Sequence, residues 1–116
     1  MKVKLEYLWL DGYDTPNIRS KTKYVELEEV KVGGVPEWGF DGSSTKQADG
    51  DNSDCILKPV KVYRNTAEVY YFDADSYIVL CEVMNPDGTP HESNTRANLR
   101  ELYEQTKDAK MWFGIE

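Results

Sequence analysis

The chain has 116 residues, which is room for one ordinary domain and too few for a second. Its 14 basic residues against 21 acidic ones give a formal net charge of −7. That balance excludes a nucleic-acid binder, because phosphate backbones bind clustered Lys and Arg. The chain lacks an apolar run of the ~20 residues that span a bilayer, and it does not start like a signal peptide. We therefore expect a cytoplasmic protein with no membrane partner.

The chain opens with the pattern of a β-hairpin. Residues 3–10 alternate apolar and polar side chains, which predicts a strand with one apolar face formed by Val3, Leu5, Tyr7 and Trp9. Turn formers fill residues 11–17, and residues 20–27 predict a returning strand.

A polar stretch then occupies residues 41–54, with glycines, serines and four aspartates but almost nothing apolar. This composition predicts a long surface loop. Loops longer than about 12 residues without structure of their own are uncommon and often functional, so this loop is the first candidate site. The alternative is a mobile insertion.

Two apolar runs, residues 55–63 and 77–84, predict further strands, and residues 66–71 are a weaker strand candidate. Pro59 indicates that the first run is an edge strand or begins a new one, because proline cannot donate to a sheet ladder. Cys55 and Cys81 are expected to be reduced and buried rather than paired in a disulfide.

Residues 94–107 predict one helix, with Ser93 or Asn94 as its N-cap. Its apolar side chains recur at helical spacing at Leu99, Leu102, Tyr103 and Thr106. Arg100 and Glu104 are predicted to form an exposed i,i+4 pair worth a few tenths of a kcal/mol. Residues 111–116 predict the start of a further strand that looks interrupted. The order of elements predicts an α+β domain with a mixed sheet packed on, and wrapped around, one main helix.

The acidic loop invites a calcium interpretation, because hard cations bind several carboxylate oxygens. The residue spacing does not match the pattern of a calcium-binding loop. A calcium loop starting at Asp49 needs Gly where Asp54 stands and Glu where Val60 stands. A serine nucleophile needs a base, and the only histidine, His91, is predicted to face solvent. Asp41, which precedes a glycine, could simply cap its own turn. Glycine-rich phosphate-binding motifs are absent from the sequence.

Several segments, in order, resemble the eukaryotic-like type II glutamine synthetases. The resemblance runs almost end to end, through residues 6–12 (EYLWLDG), 19–22 (RSKT), 36–45 (PEWGFDGSST), 47–48 (QA), 52–54 (NSD), 86–90 (PDGTP), Asn94, Arg96 and 112–116 (WFGIE). Two features depart from the family pattern: Gly39 stands where the family usually has Asn, and residues 66–76 are less similar.

The resemblance implies that residues 1–116 are the N-terminal β-grasp domain of a glutamate–ammonia ligase, cut at its first metal-ligand Glu, with the catalytic domain absent. Such an enzyme joins glutamate and ammonium through γ-glutamyl phosphate, using ATP and Mg²⁺ or Mn²⁺. It implies a homo-oligomer, a double ring, in which the domain contacts the C-terminal catalytic domains of its own and the adjacent subunit. This chain alone is then expected to be inactive and to bind no cofactor tightly.

The resemblance also implies residue roles. Asp41 would bind ammonium in the active site of a neighbouring subunit and help to remove its proton, and Ser44 would place a hydroxyl near glutamate. Glu116 would be a metal ligand. Trp112 would lie near the nucleotide, although an aromatic packed in a strand is an equal alternative.

A freestanding binding module, in which the acidic loop recognises a protein or a cation without chemistry, is the alternative function. A calcium-binding domain is a third.

Overall fold

A computed structural model describes residues 1–68 and 75–116 of the chain. Within these ranges the chain forms five strands and one α-helix: β1 Lys2–Leu10, β2 Ile18–Glu26, β3 Trp38–Asp41, β4 Asp54–Arg64, β5 Asp75–Met84 and α1 Thr95–Thr106. The predicted α+β class is confirmed. None of the helices in the described ranges is long and apolar enough to cross a membrane.

The strands make one sheet in the order β2-β1-β5-β4-β3. β1 and β2 form the predicted antiparallel hairpin, with Lys2 opposite Glu26 and Leu10 opposite Ile18. β1 pairs with β5 in parallel, whereas β4 pairs antiparallel with both β5 and β3. The sheet is therefore mixed, as predicted.

The apolar face predicted for β1 is the centre of the core. Its four alternating side chains are buried together with six other residues: Val35, Cys55, Leu57, Val79, Cys81 and Val83. Tyr7 packs edge-on against Trp38, with ring centroids 5.3 Å apart, and its hydroxyl donates to the Pro36 carbonyl at 2.7 Å. Burial raises the pKa of Tyr7 to about 12. Each large apolar side chain buried here contributes about 1.5–3 kcal/mol.

Cys55 and Cys81 are buried free thiols, as predicted. Burial raises the pKa of both, that of Cys81 to about 12. Both thiols are therefore protonated and unreactive at neutral pH.

Pro59 does not interrupt its strand. β4 runs unbroken from Asp54 to Arg64, and its pairing with β5 shifts register between Pro59 and Lys61. A bulge is one of the few places inside a sheet where proline is tolerated. Of the two predicted alternatives, a new strand beginning at Pro59 is wrong, whereas an edge position is confirmed for this stretch of β4, because β3 does not reach Pro59. β4 lies between β5 and β3, although β3 covers it only from Asp54 to Leu57.

Two weaker strand predictions meet different outcomes. Thr66–Glu68 is a short 3-10 helix rather than a strand, and residues 69–71 of that candidate lie outside the described residues. Residues 111–116 form an exposed irregular segment, so the strand predicted there is wrong. A strand needs a neighbour for its main-chain groups, and apolar composition alone does not supply one.

The predicted helix is confirmed, and Asn94 is its N-cap, accepting from the Ala97 main-chain N–H at 3.1 Å. Its apolar stripe does not line the core: α1 buries Ala97, while Leu99, Leu102 and Tyr103 stay exposed. The sheet meets the helix along its first turns and does not enclose it.

Arg100 makes the contact between helix and sheet. Its guanidinium donates twice to Glu82 on β5, at 2.9 Å to Oε1 and 3.1 Å to Oε2. Glu82 is only 1% exposed, so the pair compensates a buried charge. Hydrogen bonds to Glu82 and the charge of that residue raise the pKa of Arg100. The predicted surface pair with Glu104 is therefore wrong: Glu104 binds Lys107 at 3.1 Å instead.

A second buried carboxylate, Asp11, organises the connection between β1 and β2. It accepts from the main-chain N–H groups of Tyr13 and Asn17, from the Asn17 side chain, and from Arg19 Nε at 2.9 Å. Desolvation works to raise the pKa of Asp11, but the hydrogen bonds from Asn17, Arg19 and Tyr13 outweigh it and lower the pKa to about 2.

We predict that Arg100→Ala lowers the free energy of unfolding by about 3 kcal/mol, because it leaves the Glu82 carboxylate buried without its partner. Arg96→Ala, which removes the same charge from an exposed position of the same helix, should change it by less than about 0.5 kcal/mol. Urea unfolding of both variants measures the difference. Equal losses would contradict a structural role for the ion pair.

We also predict that Asp11 contributes to acid sensitivity. Its folded-state pKa of about 2 lies below the usual 3.8, so its contribution is complete above about pH 4 and is lost as pH falls towards 2. Asp11→Asn should flatten the dependence of the unfolding midpoint on pH in this window, although Asp41 and Asp87, whose pKa values are also lowered, keep their contributions. Asp14→Asn, in the same connection, is the control and should keep the wild-type slope.

Candidate functional site

The polar stretch after β3 is an ordered surface structure. Gly42–Thr45 forms a 3-10 helix, capped by Asp41 at the end of β3. Gly42, Thr45 and Gln47 are buried, whereas Asp41, Ser43 and Ser44 are exposed. The predicted surface loop is thus present, but it is anchored to the domain at regular intervals. We call residues 41–48 the acidic-loop arm.

Asp41 presents an oriented negative charge at the surface. Its Oδ1 accepts from the Ser43 hydroxyl at 2.6 Å and from the Ser43 main-chain N–H at 2.9 Å. Hydrogen bonds from the Ser43 hydroxyl and N–H, with a smaller one from Ser53, lower the pKa of Asp41 against the effect of desolvation. The residue therefore caps its own turn, as one interpretation predicted, and is also an exposed carboxylate that stays ionised in weak acid.

Ser44 lies in the same turn, and its hydroxyl donates to the Asp41 carbonyl at 3.2 Å. The structure thus brings Asp41 and Ser44 together. Trp112 and Glu116 belong to the exposed C-terminal segment, where Trp112 is 97% exposed. They meet no part of the arm through a hydrogen bond or ion pair among the described residues.

Gln47 anchors the arm through a buried amide that is 5% exposed. Its Nε2 donates to the Leu10 carbonyl at 3.0 Å and to Ser93 Oγ at 2.9 Å, and its Oε1 accepts from Trp9 Nε1 at 3.3 Å. Its main-chain N–H donates to the Gly42 carbonyl at 2.8 Å. One side chain therefore ties the arm to the end of β1 and to the segment before α1.

His91 is buried, at 8% exposure, so the prediction that it faces solvent is wrong. Its Nε2 donates to the Gln47 carbonyl, and its Nδ1 accepts from the Ser93 main-chain N–H at 3.0 Å. Because a carbonyl only accepts and a main-chain N–H only donates, the ring carries its proton on Nε2. The ring is held by two partners that its sequence neighbours Pro90 and Glu92 do not suggest.

Two glycines allow the arm to pack closely. The Gly12 N–H donates to the Thr45 carbonyl at 2.9 Å, and a Cβ on Gly12 would lie 2.1 Å from the Lys46 carbonyl oxygen. A Cβ on Gly42 would lie 2.7 Å from Cys55 Sγ. These contacts fix the arm against the hairpin turn on one side and against β4 on the other.

The sequence matches a known family along most of its length. The profile of the family described as "Glutamine synthetase, beta-Grasp domain" matches residues 2–86. The chain belongs to this family.

Individual glutamine synthetases give the same result. The protein of Bradyrhizobium diazoefficiens is 50% identical over 118 residues, which cover 99% of this chain and 31% of that protein. The protein of Streptomyces viridochromogenes is 47% identical over 100% of this chain and 33% of its own length. The chain therefore spans about a third of the length of these curated relatives.

A solved structure supports the fold. The cryoEM structure of Plasmodium falciparum glutamine synthetase superposes with a TM-score of 0.54 over 93% of this chain and 20% of that chain, at 18% sequence identity. At this identity the match shows the shared fold alone. It agrees with the predicted β-grasp-like sheet.

The family implies a divalent metal and ATP in the full enzyme. Within residues 1–68 and 75–116, His, Cys, Asp and Glu side chains do not gather in any group of three or more that could hold a metal. The four aspartates of the calcium interpretation do not converge, and Glu116 belongs to no such group. The described residues by themselves therefore do not make up a complete metal site.

In this glutamine synthetase domain, Gln47 and His91 are the site residues that analysis of the residues alone missed. Gln47 belongs to a segment that carries the family resemblance, and that resemblance was the available signal. His91 gave none, because its partner Gln47 is 44 residues away in the chain.

We predict that Gly42→Ala destabilises the domain by about 1–3 kcal/mol, because the added methyl group overlaps Cys55 Sγ and overpacks the contact between the arm and β4. Gly50→Ala is the matched control in the same loop, since a Cβ there meets nothing within 4 Å. It should change stability by less than about 0.5 kcal/mol. Thermal or urea unfolding compares the two, and a similar loss in both would contradict close packing of the arm.

Proposed function

We propose that the protein containing this domain makes glutamine from glutamate and ammonia, using ATP and passing through γ-glutamyl phosphate. Membership of the glutamine synthetase family supports the proposal, as do relatives that bear that name. We further propose that residues 1–116 act as one domain, which contacts the C-terminal catalytic domains of its own and the adjacent subunit in a cytoplasmic homo-oligomer, a double ring. The Arg100–Glu82 pair, which joins the helix to the matched sheet, supports including α1.

The observation that carries the proposal is the exposed, oriented carboxylate of Asp41. In the neighbouring subunit's active site it would bind ammonium, which is a small cation with N–H donors in every direction. The attraction between ammonium and the carboxylate grows as water is excluded at the contact between subunits, because the effective dielectric falls. Ser43 keeps one carboxylate oxygen oriented while the turn projects outward.

The lowered pKa of Asp41 affects how ammonium is bound and how it loses its proton. A carboxylate of low pKa stabilises a bound cation well and retains a proton poorly. Asp41 would therefore concentrate ammonium. Because its lowered pKa makes it a weak base, it would take up the ammonium proton only transiently and pass it on to solvent or another base. The resulting neutral ammonia is the nucleophile that attacks the acyl phosphate.

The remaining proposed roles follow the family resemblance. Ser44 would offer one donor and two acceptor sites near glutamate without adding charge. Trp112 would lie near the nucleotide, and Glu116 would supply one carboxylate to Mg²⁺ or Mn²⁺, ions that favour oxygen ligands and counter the charge of ATP phosphates. Both residues are exposed here, which supports their availability to other parts of the enzyme.

We predict that Asp41→Ala in the full-length enzyme separates the two half-reactions. Glutamine formation should fall by about 10²–10⁴-fold, the usual contribution of a positioned acid–base group. Formation of γ-glutamyl phosphate, measured as glutamate-dependent phosphate release without ammonium, should change by less than about threefold, since it does not need the ammonium site.

Asp51→Ala is the control, because it removes an equal charge from an exposed position of the same loop. It should leave both half-reactions close to wild type. If Asp41→Ala reduces both half-reactions equally, the ammonium role fails.

A further inference from the structure

The hydrogen bonds that orient Asp41 come from Ser43 and Ser53, which belong to its own loop. They fix the carboxylate within the turn but not the turn within the domain. An exposed turn that must deliver a charge to a separate subunit needs a rigid attachment, because small misplacements of a catalytic group are costly.

Gln47 is the attachment point with bonds in three directions. Towards Asp41, its N–H and that of Ala48 both donate to the Gly42 carbonyl, at 2.8 and 3.1 Å. Towards the sheet, its amide bonds the main chain of Leu10 and the ring of Trp9 at the end of β1. These contacts link the residue next to Asp41 directly to the core strand of the domain.

The third direction leads to the segment before α1. Gln47 Nε2 donates to Ser93 Oγ, while the Gln47 carbonyl accepts from His91. His91 is in turn held by Ser93, through the main-chain N–H at 3.0 Å and a hydroxyl 2.9 Å from Nδ1. Gln47, His91 and Ser93 thus form a closed ring of hydrogen bonds, which we call the anchor ring.

Gln47 and His91 of the anchor ring are buried and Ser93 is half-buried, and every buried side-chain nitrogen and oxygen in the described ranges has a partner. A fully satisfied buried polar network has one low-energy arrangement, because any shift leaves a group unpaired in a poorly solvated place. It therefore resists displacement of the arm more than the exposed bonds at Asp41 do.

We propose that Gln47 and His91 are positioning residues for the ammonium site. They hold the arm in the position, relative to the rest of the domain, at which Asp41 contacts ammonium. This inference rests on the proposed function of Asp41. Neither residue contacts the reacting atoms: both act through the main chain of residues 42–48.

The test uses variants of the full-length enzyme that keep side-chain volume. Gln47→Met retains the shape and loses every side-chain hydrogen bond, and His91→Leu loses the bond to the Gln47 carbonyl. Both should raise the KM for ammonium by at least about tenfold, while the KM values for glutamate and ATP change by less than about twofold. His91→Gln retains an N–H donor on a side chain of similar reach and should restore most of the loss. Glu92→Gln, an exposed neighbour, should match wild type.

Amide hydrogen exchange gives a readout that does not depend on activity. The amides of Gln47 and Ala48, which bond the Gly42 carbonyl, should exchange at least about tenfold faster in His91→Leu than in His91→Gln, since local opening is what exposes them.

The outcomes separate this inference from the proposed function. If Asp41→Ala raises the KM for ammonium selectively and the Gln47 and His91 variants do not, the positioning role is overturned and the function of Asp41 stands. If all KM values change together with the melting temperature, the anchor ring is only structural, and the inference again falls. If Asp41→Ala has no ammonium-specific effect, the proposed function and the positioning role both fail, whatever the exchange rates show.

Discussion

The arrangement of the candidate site depends on one buried amide. Gln47 lies where three separate parts of the chain meet, and each polar atom of its side chain has a partner there. Burying an amide without partners would cost several kcal/mol, so the three segments must come together in one register for the domain to fold. The hydrogen bonds of buried Gln47 therefore also determine the position of the exposed Asp41 carboxylate. The hydrogen bonds of Gln47 thereby fix a surface loop of charged and small residues to the core of the domain.

The buried charges of the domain, like the buried amide of Gln47, are paired with groups from other segments of the chain. The chain carries an excess of acid, yet in the part of the chain that the structure describes the two fully buried carboxylates, Asp11 and Glu82, each bind an arginine. Arg19 closes the hairpin connection and Arg100 joins the helix to β5, so each pair links two segments as well as neutralising a charge. Removing either arginine would leave a carboxylate charge in a place that water hardly reaches. Asp41 differs from them because no arginine or lysine pairs with it in the described ranges, which leaves its charge available to a cation.

Sequence reasoning succeeded where the signal was periodic or local. The alternation along β1, the turn formers after it and the cap at Asn94 each involve neighbouring residues, and all three appear as predicted. It failed where a side chain meets a distant partner. Arg100 finds Glu82 rather than Glu104, and His91 finds Gln47, because tertiary contacts outweigh pairs worth a few tenths of a kcal/mol. The exposed apolar residues of α1 and of the C-terminal segment show a further limit: a pattern predicts what a segment could bury, and not whether a surface is there to bury it.

Because Gly42 packs closely against Cys55, the accessibility of the Cys55 thiol depends on the position of the arm. Cys55 Sγ lies beneath the arm and approaches the Gln47 carbonyl at 3.9 Å, while Cys81 lies elsewhere in the same core. A thiol-specific reagent would reach Cys55 more readily when the arm lifts, whereas Cys81 Sγ bonds the Val79 carbonyl on its own strand and does not contact the arm through a hydrogen bond among the described residues. The ratio of the two labelling rates would then separate motion of the arm from unfolding of the domain, without any probe being introduced into the chain.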